Sequence, residues 1–89
     1  MNTIVEAVAV ESKCSDVNVG DVMLFEGPLL SFDKSTAACC TALVAIYPFV
    51  LALRFGADPS NWGFSDKIVA QCPEHCSSVV FELRRKEKS

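Results

Sequence analysis

Residues 36–56 read TAACCTALVAIYPFVLALRFG, and the fold turns on how that stretch is placed. From Ala37 to Leu53 its only clearly polar side chains are Thr41 and the hydroxyl of Tyr47. Ahead of it, SFDKST offers Asp33, Ser35 and Thr36, whose short side-chain oxygens can accept from the free N–H groups of a first helical turn. Behind it, Gly56 is a natural stop, and Arg54 in the last turn would complement the negative end of the helix dipole. The stretch is therefore read as one long helix from about Thr36 to Phe55. Pro48 removes an intrahelical hydrogen bond and crowds the preceding turn, which predicts a kink near Val44 to Tyr47 or two abutting helices.

An apolar run of about seventeen residues stands at the lower edge of what spans a bilayer. The mid-segment proline, the lack of a basic flank on the amino-terminal side and the strand-like segments around it argue against a membrane span. Those strands need this helix as their cover. A helix apolar all round must be buried all round, and one small sheet covers one side of it. The other side is expected to pack on a second copy, so the helix 36–55 is the expected contact of a homo-oligomer.

Working outward, TIVEAVAVE at 3–11 is rich in Val and Ile and places Ile4, Glu6, Val8 and Val10 on one face, as a strand would. SKCSDVNVGD is a loop, VMLFE at 22–26 a second strand, and Gly27 and Pro28 end it. After the helix comes the loop ADPSNWGFSD, whose length and Trp62 leave room for a small-ligand pocket beneath it. KIVAQC at 67–72 and SVVFELRR at 78–85 then form a hairpin across the short PEHCS turn. The order β-β-α-β-β predicts a single α+β domain over residues 1–89, a two-layer sandwich of an antiparallel sheet with one long, kinked, apolar helix on one face.

Composition narrows the function. Eighty-nine residues make one small domain with no room for a separate catalytic one. A net charge of −3 argues against a nucleic-acid partner, whose phosphates need clustered Lys and Arg. The basic run of Arg84, Arg85, Lys86 and Lys88 reads as a solvated tail. MNTIVEAVAVESK has no basic start, long apolar stretch or small-residue cleavage site, so the expected location is the cytoplasm.

Five cysteines are many for such a chain, and in a reducing compartment they serve as small hydrophobes, metal ligands or reactive thiols rather than bridges. All fall at element ends: Cys14 after the first strand, Cys39 and Cys40 in the first helical turns, Cys72 at the end of the third strand, Cys76 in the hairpin turn. Cys39 has the strongest case for reactivity, because a helix N-terminus stabilises a thiolate. CPEHC at 72–76 departs from the two-residue spacing of Zn and Fe knuckles. A four-ligand Zn or Fe site would have to be assembled from Cys14, Cys39 and Cys72 with His75 or Cys76. The alternative is that these cysteines are structural. No phosphate loop, Ser-His-Asp set or paired carboxylate can be argued, so no catalytic residue is assigned.

Three segments, Cys14 with VNVGDVM, Cys39 with the later YPFVLALRFG, and Cys72-Pro73 with VVFELRR, together carry a likeness. In them the chain resembles an uncharacterised family of short bacterial and archaeal proteins from Val5 to Arg85. Its members show Cys…Gly-Asp, Cys…Tyr-Pro…Leu-Arg-Phe-Gly and Cys-Pro…Val-Phe-Glu segments. The resemblance implies no activity. It singles out Cys14, Cys39 and Cys72, with Gly20, Asp21, Tyr47, Pro48, Arg54 and Gly56 as framework. Ser15 and Cys40 stand where the family often has proline, and Val44 where many members have a helical histidine, which weighs against a shared metal site.

Two functions follow as expectations. One is a cysteine cluster near the helix N-terminus for thiol redox chemistry or for Zn or Fe. The other is a non-enzymatic homo-oligomeric assembly or binding module.

Overall fold

The alternation in TIVEAVAVES sets the centre of the molecule. In a computed structural model, which describes residues 3–36, 40–63, 67–71 and 78–87, this segment is strand β1, Thr3–Ser12. Val5, Ala7 and Ala9 are buried on one face, while Ile4, Glu6, Val8 and Val10 point the other way and stay partly exposed. That period of two is what a strand with one covered face requires.

Four further strands complete one antiparallel sheet: β2, Val22–Glu26; β3, Leu29–Leu30; β4, Ile68–Gln71; and β5, Val79–Glu87. Their order across the sheet is β3-β2-β1-β5-β4, so β1 lies in the middle, paired with β2 on one side and β5 on the other. The expected hairpin of the last two strands is present, with Ile68 opposite Leu83 and Gln71 opposite Val80. β3 is an addition to the β-β-α-β-β order. Gly27, with φ of 56°, turns the chain after β2, and Leu29 and Leu30 pair back onto Glu26 and Phe25.

The last strand runs further than residue 85: Lys86 and Glu87 join Arg84 and Arg85 in β5, with Glu87 opposite Thr3, and Arg84, Arg85 and Lys86 are exposed as expected. On the sheet face away from the helix, Lys86 meets Glu6 at 3.0 Å and Lys67 meets Glu82 at 2.9 Å.

Helix α1, Cys40–Arg54, covers the other face. It passes through Pro48 as a single element rather than as two abutting helices. The carbonyl that Pro48 leaves without its helical donor belongs to Val44, and both residues stand on the exposed side. At the far end the expected stop is present in detail. Gly56 adopts φ of +94°, its N–H donates to the carbonyl of Leu53 at 3.1 Å, and the N–H of Ala57 donates to that of Ala52 at 3.0 Å. This crossed pair satisfies carbonyls that a helix end otherwise leaves unpaired.

The helix is described from Cys40, its expected first turn at 37–39 lying outside the described residues, and ahead of it the hydroxyls of Ser35 and Thr36 accept from the N–H groups of Leu24 and Val22, at 3.0 and 2.9 Å. Thr36 also donates to Asp21 Oδ1 at 2.9 Å, and Asp21 Oδ2 accepts from the N–H of Asn18 at 2.8 Å. These polar side chains close the outer edge of β2, an edge that would otherwise present unpaired backbone groups. The opposite edge strand, β4, is kept to four residues.

The core lies between the two layers. Ala42, Ile46, Val50 and Leu53 of α1 pack on Val5, Ala7, Ala9, Met23, Phe25, Ile68, Ala70, Val79, Phe81 and Leu83 of the sheet, with Val17 closing one end. Val17 comes from the 13–21 loop. β1 carries an extra residue between Ala9 and Glu11, which brings Ser12 opposite buried Val79. The Ser12 hydroxyl then holds the loop down through the carbonyl of Val17 and the N–H of Cys14.

Candidate functional site

The core stripe of α1 falls at positions 42, 46, 50 and 53. With about 100° per residue these four lie within roughly 80° of one another around the axis. A second set, Val44, Tyr47, Pro48, Leu51 and Phe55, is exposed. Its members cluster about 160° from the core stripe, nearly opposite. Val44 is 76 % exposed and Phe55 72 %. The expectation of a helix buried all round is therefore not met within one chain. Its own sheet covers one stripe and leaves the other, equally apolar, open to water.

The amino-terminal half of that outer stripe forms one wall of a groove of about 500 Å³. Leu43, Val44, Tyr47 and Pro48 face Phe25, Pro28 and Leu30 across it. The floor depends on β3. Turning at Gly27 and Pro28 and pairing Leu30 with Phe25 puts an aliphatic side chain beside the aromatic ring. The ring of Phe25 stands 6.3 Å from that of Tyr47, inclined at 55°, a tilted contact of the kind aromatic pairs prefer. Among the described residues the Tyr47 phenol is the one ionisable side chain lining the groove, and the rest of that lining offers apolar contact.

A second recess, of about 370 Å³, lies where the helix ends and is lined by Leu53, Gly56, Ala57, Asp58, Pro59 and Arg85. It lies at the start of the loop expected to cover a small-ligand pocket, whose residues 64–66 are outside the described residues. Asp58 caps the short 3-10 turn Pro59–Trp62 by accepting from the N–H and hydroxyl of Ser60, at 3.0 and 2.8 Å. Those hydrogen bonds, the hydroxyl's first, hold its carboxyl below the ordinary value of 3.8. Asp58 is thus engaged in shaping its own loop.

Of the candidate metal ligands, Cys14 is described. It is half-buried against the core edge, with its Sγ accepting from the N–H of Asp16 at 3.4 Å. Cys39, Cys72, His75 and Cys76 lie outside the described residues, as does the CPEHC turn. Their chain neighbours can be located. Lys13, next to Cys14, donates from its N–H to the carbonyl of Ser78 at 2.8 Å. Gln71, next to Cys72, pairs with Val80. Thr36, three residues before Cys39, is fastened to the first residue of β2. All three anchors lie at the end of the sheet where β1 finishes, though β2 and β4 are three strand spacings apart, about 14 Å. Among the described residues no group of three or more His, Cys, Asp or Glu side chains could hold a metal ion.

Compared with known protein families, with curated proteins and with solved structures, the chain finds no match. Among the described residues no helix is long and apolar enough to cross a membrane.

The helix wall of the groove belongs to the segment expected to meet a partner, whereas sequence places Phe25 in a strand and Pro28 at its end and gives Leu30 no role. The signal that could have located them is the apolar pair Leu29-Leu30 directly after Gly27-Pro28, a turn followed by strand-forming residues.

Proposed function

We propose that this protein is a non-enzymatic assembly module that pairs with a second copy of itself through the outer stripe of α1. The observation that carries the reading is the stripe Val44, Tyr47, Pro48, Leu51 and Phe55, standing opposite the covered stripe on a helix with no charged residue before Arg54. A face that is uniformly apolar can meet its own copy without setting like charges against each other, as a two-fold interface demands. Exposed apolar patches of this kind mark association surfaces on small domains. Sedimentation velocity over a concentration series tests it. The natural chain is expected to dimerise and Leu51→Glu to remain monomeric with an unchanged circular dichroism spectrum. A natural chain that stays monomeric throughout the series removes the proposal.

A second reading has its own support. The anchors beside Cys14, Cys39 and Cys72 share one end of the sheet, the arrangement a thiol cluster in the cytoplasm would need for redox chemistry or for Zn or Fe. Metal analysis and thiol alkylation of protein purified without oxygen test it. Metal in stoichiometric amount, or mutually protected thiols, supports the cluster; a metal-free protein whose thiols all alkylate at the rate of a free peptide argues that the cysteines are packing.

A further inference from the structure

We infer that residues 28–36 form a strap that opens from the outer edge of β2 on its own, while the rest of the domain stays folded, and that the groove beside α1 is complete only while the strap is closed. The inference is independent of what meets the outer stripe of α1.

The strap imitates a strand without being one. Beyond the two-residue pairing of β3, the N–H groups of Ser31 and Thr36 donate to the carbonyls of Leu24 and Val22, at 2.8 and 2.9 Å. The return bonds, from the N–H groups of Leu24 and Val22, go not to backbone carbonyls but to the hydroxyls of Ser35 and Thr36. Lys34 adds an ion pair to Glu26 at 3.6 Å, with the lysine side chain 60 % exposed. Polar contacts so near water contribute little net stability, because water replaces them on opening.

Apolar packing does not make up the difference. None of residues 28–36 is buried; Leu29 is 69 % and Phe32 79 % exposed, and Leu30 is the side chain that packs against the core. Opening therefore uncovers little apolar surface, while the released residues regain backbone freedom. The inner side of β2 is held differently. Met23 and Phe25 are buried and lie opposite Ala7 and Val5 of the central strand. Gly27 stays with them, its N–H donating to the carbonyl of Thr3 at 2.8 Å, and its φ of 56° makes it the hinge. One strand thus carries two grades of protection, local on its outer edge and global on its inner one.

Pro28 and Leu30 belong to the groove wall opposite α1, so opening dismantles the groove. It also bares on Val22 and Leu24 the donors and acceptors that an added strand uses.

Hydrogen exchange of the full natural chain tests the strap, read amide by amide in dilute solution over a series of low urea concentrations. The amides of Val22, Leu24, Ser31 and Thr36 are expected to share one opening, about a hundredfold or more less protected than those of Met23 and Phe25 and nearly insensitive to urea. Ile46→Val, a mild truncation of the core, should speed exchange at Met23 and Phe25 by roughly two- to tenfold and leave the other four unchanged, because Ile46 stays packed when the strap opens. Equal protection and equal urea dependence in the two sets, or an Ile46→Val effect shared by both, overturns the inference.

Discussion

Ile46 and Val44 stand two residues apart on α1 and should respond to truncation in opposite ways. Ile46 is fully buried, with 0 % exposure, between the helix and the sheet, so Ile46→Ala removes three carbons from a packed site and leaves a cavity. Such truncations cost about 2–5 kcal/mol, and roughly 3 is expected here because Ala42 and Val50, one turn away on either side, are too short to fill the space. For a domain of this size that lowers the melting temperature by about 12–24 °C and removes a large part of the total stability. Val44 is 76 % exposed, so Val44→Ala forfeits little burial in the single chain. Alanine's better helix propensity offsets what is lost, and the net change should stay within about 0.5 kcal/mol. Urea unfolding followed by far-ultraviolet circular dichroism, at a concentration low enough to keep the chain monomeric, reads both. If Val44→Ala costs as much as Ile46→Ala, the helix is rotated from the orientation described, and the outer stripe with its groove loses its basis.

Three further outcomes are expected. Gly56→Ala should lose about 1–2 kcal/mol to the left-handed backbone at that position, and Gly56→Asn less, since the added Cβ would meet only Arg85 Nη1, at an ordinary 3.4 Å; thermal melts rank the pair. Thr36→Val removes a hydroxyl that serves both Val22 and Asp21, so it should cost about 1 kcal/mol and speed hydrogen exchange at the Val22 amide. The carboxyl of Asp58, held below 3.8 by Ser60, contributes stability above its ordinary value that fades as the pH falls through the lowered one. Nuclear magnetic resonance titration should find it below 3.8, and Ser60→Ala should raise it; a titration at the ordinary value in the natural chain contradicts the capping geometry.

Much of the fold was legible because the deciding features are local. VMLFE is the second strand with the bounds its turn residues suggest, since Gly27 and Pro28 end any strand whatever its surroundings. Arg54 and Gly56 mark the end of the helix for the same kind of reason. The bonds of Ser35 and Thr36 to β2 were not legible, because their hydroxyls can accept from any nearby N–H and spacing alone does not say which strand edge comes near. β3 was missed because two residues are too few to show a period. The groove needs Phe25, Leu30 and Tyr47 together, and nothing in their spacing announces that a hairpin and a helix will meet there. Of the cysteines expected at element ends, Cys14 sits at the core edge and Cys40 opens the described helix, while Cys39, Cys72 and Cys76 lie outside the described residues.

Taken by itself, the chain's order of residues determined an α+β fold, because alternating valines, turn-forming glycines and an apolar run stopped at Gly56 each act through their immediate neighbours. The tertiary structure alone decided which side of α1 is covered. A helix greasy on every side has no amphipathic face to announce its inward direction, and that choice falls to the sheet, whose strand order puts β1 at the centre and presents one surface for Ile46 and Val50 to meet. The face left over, with Val44 and Phe55, is a consequence of that packing and could not have been assigned before it.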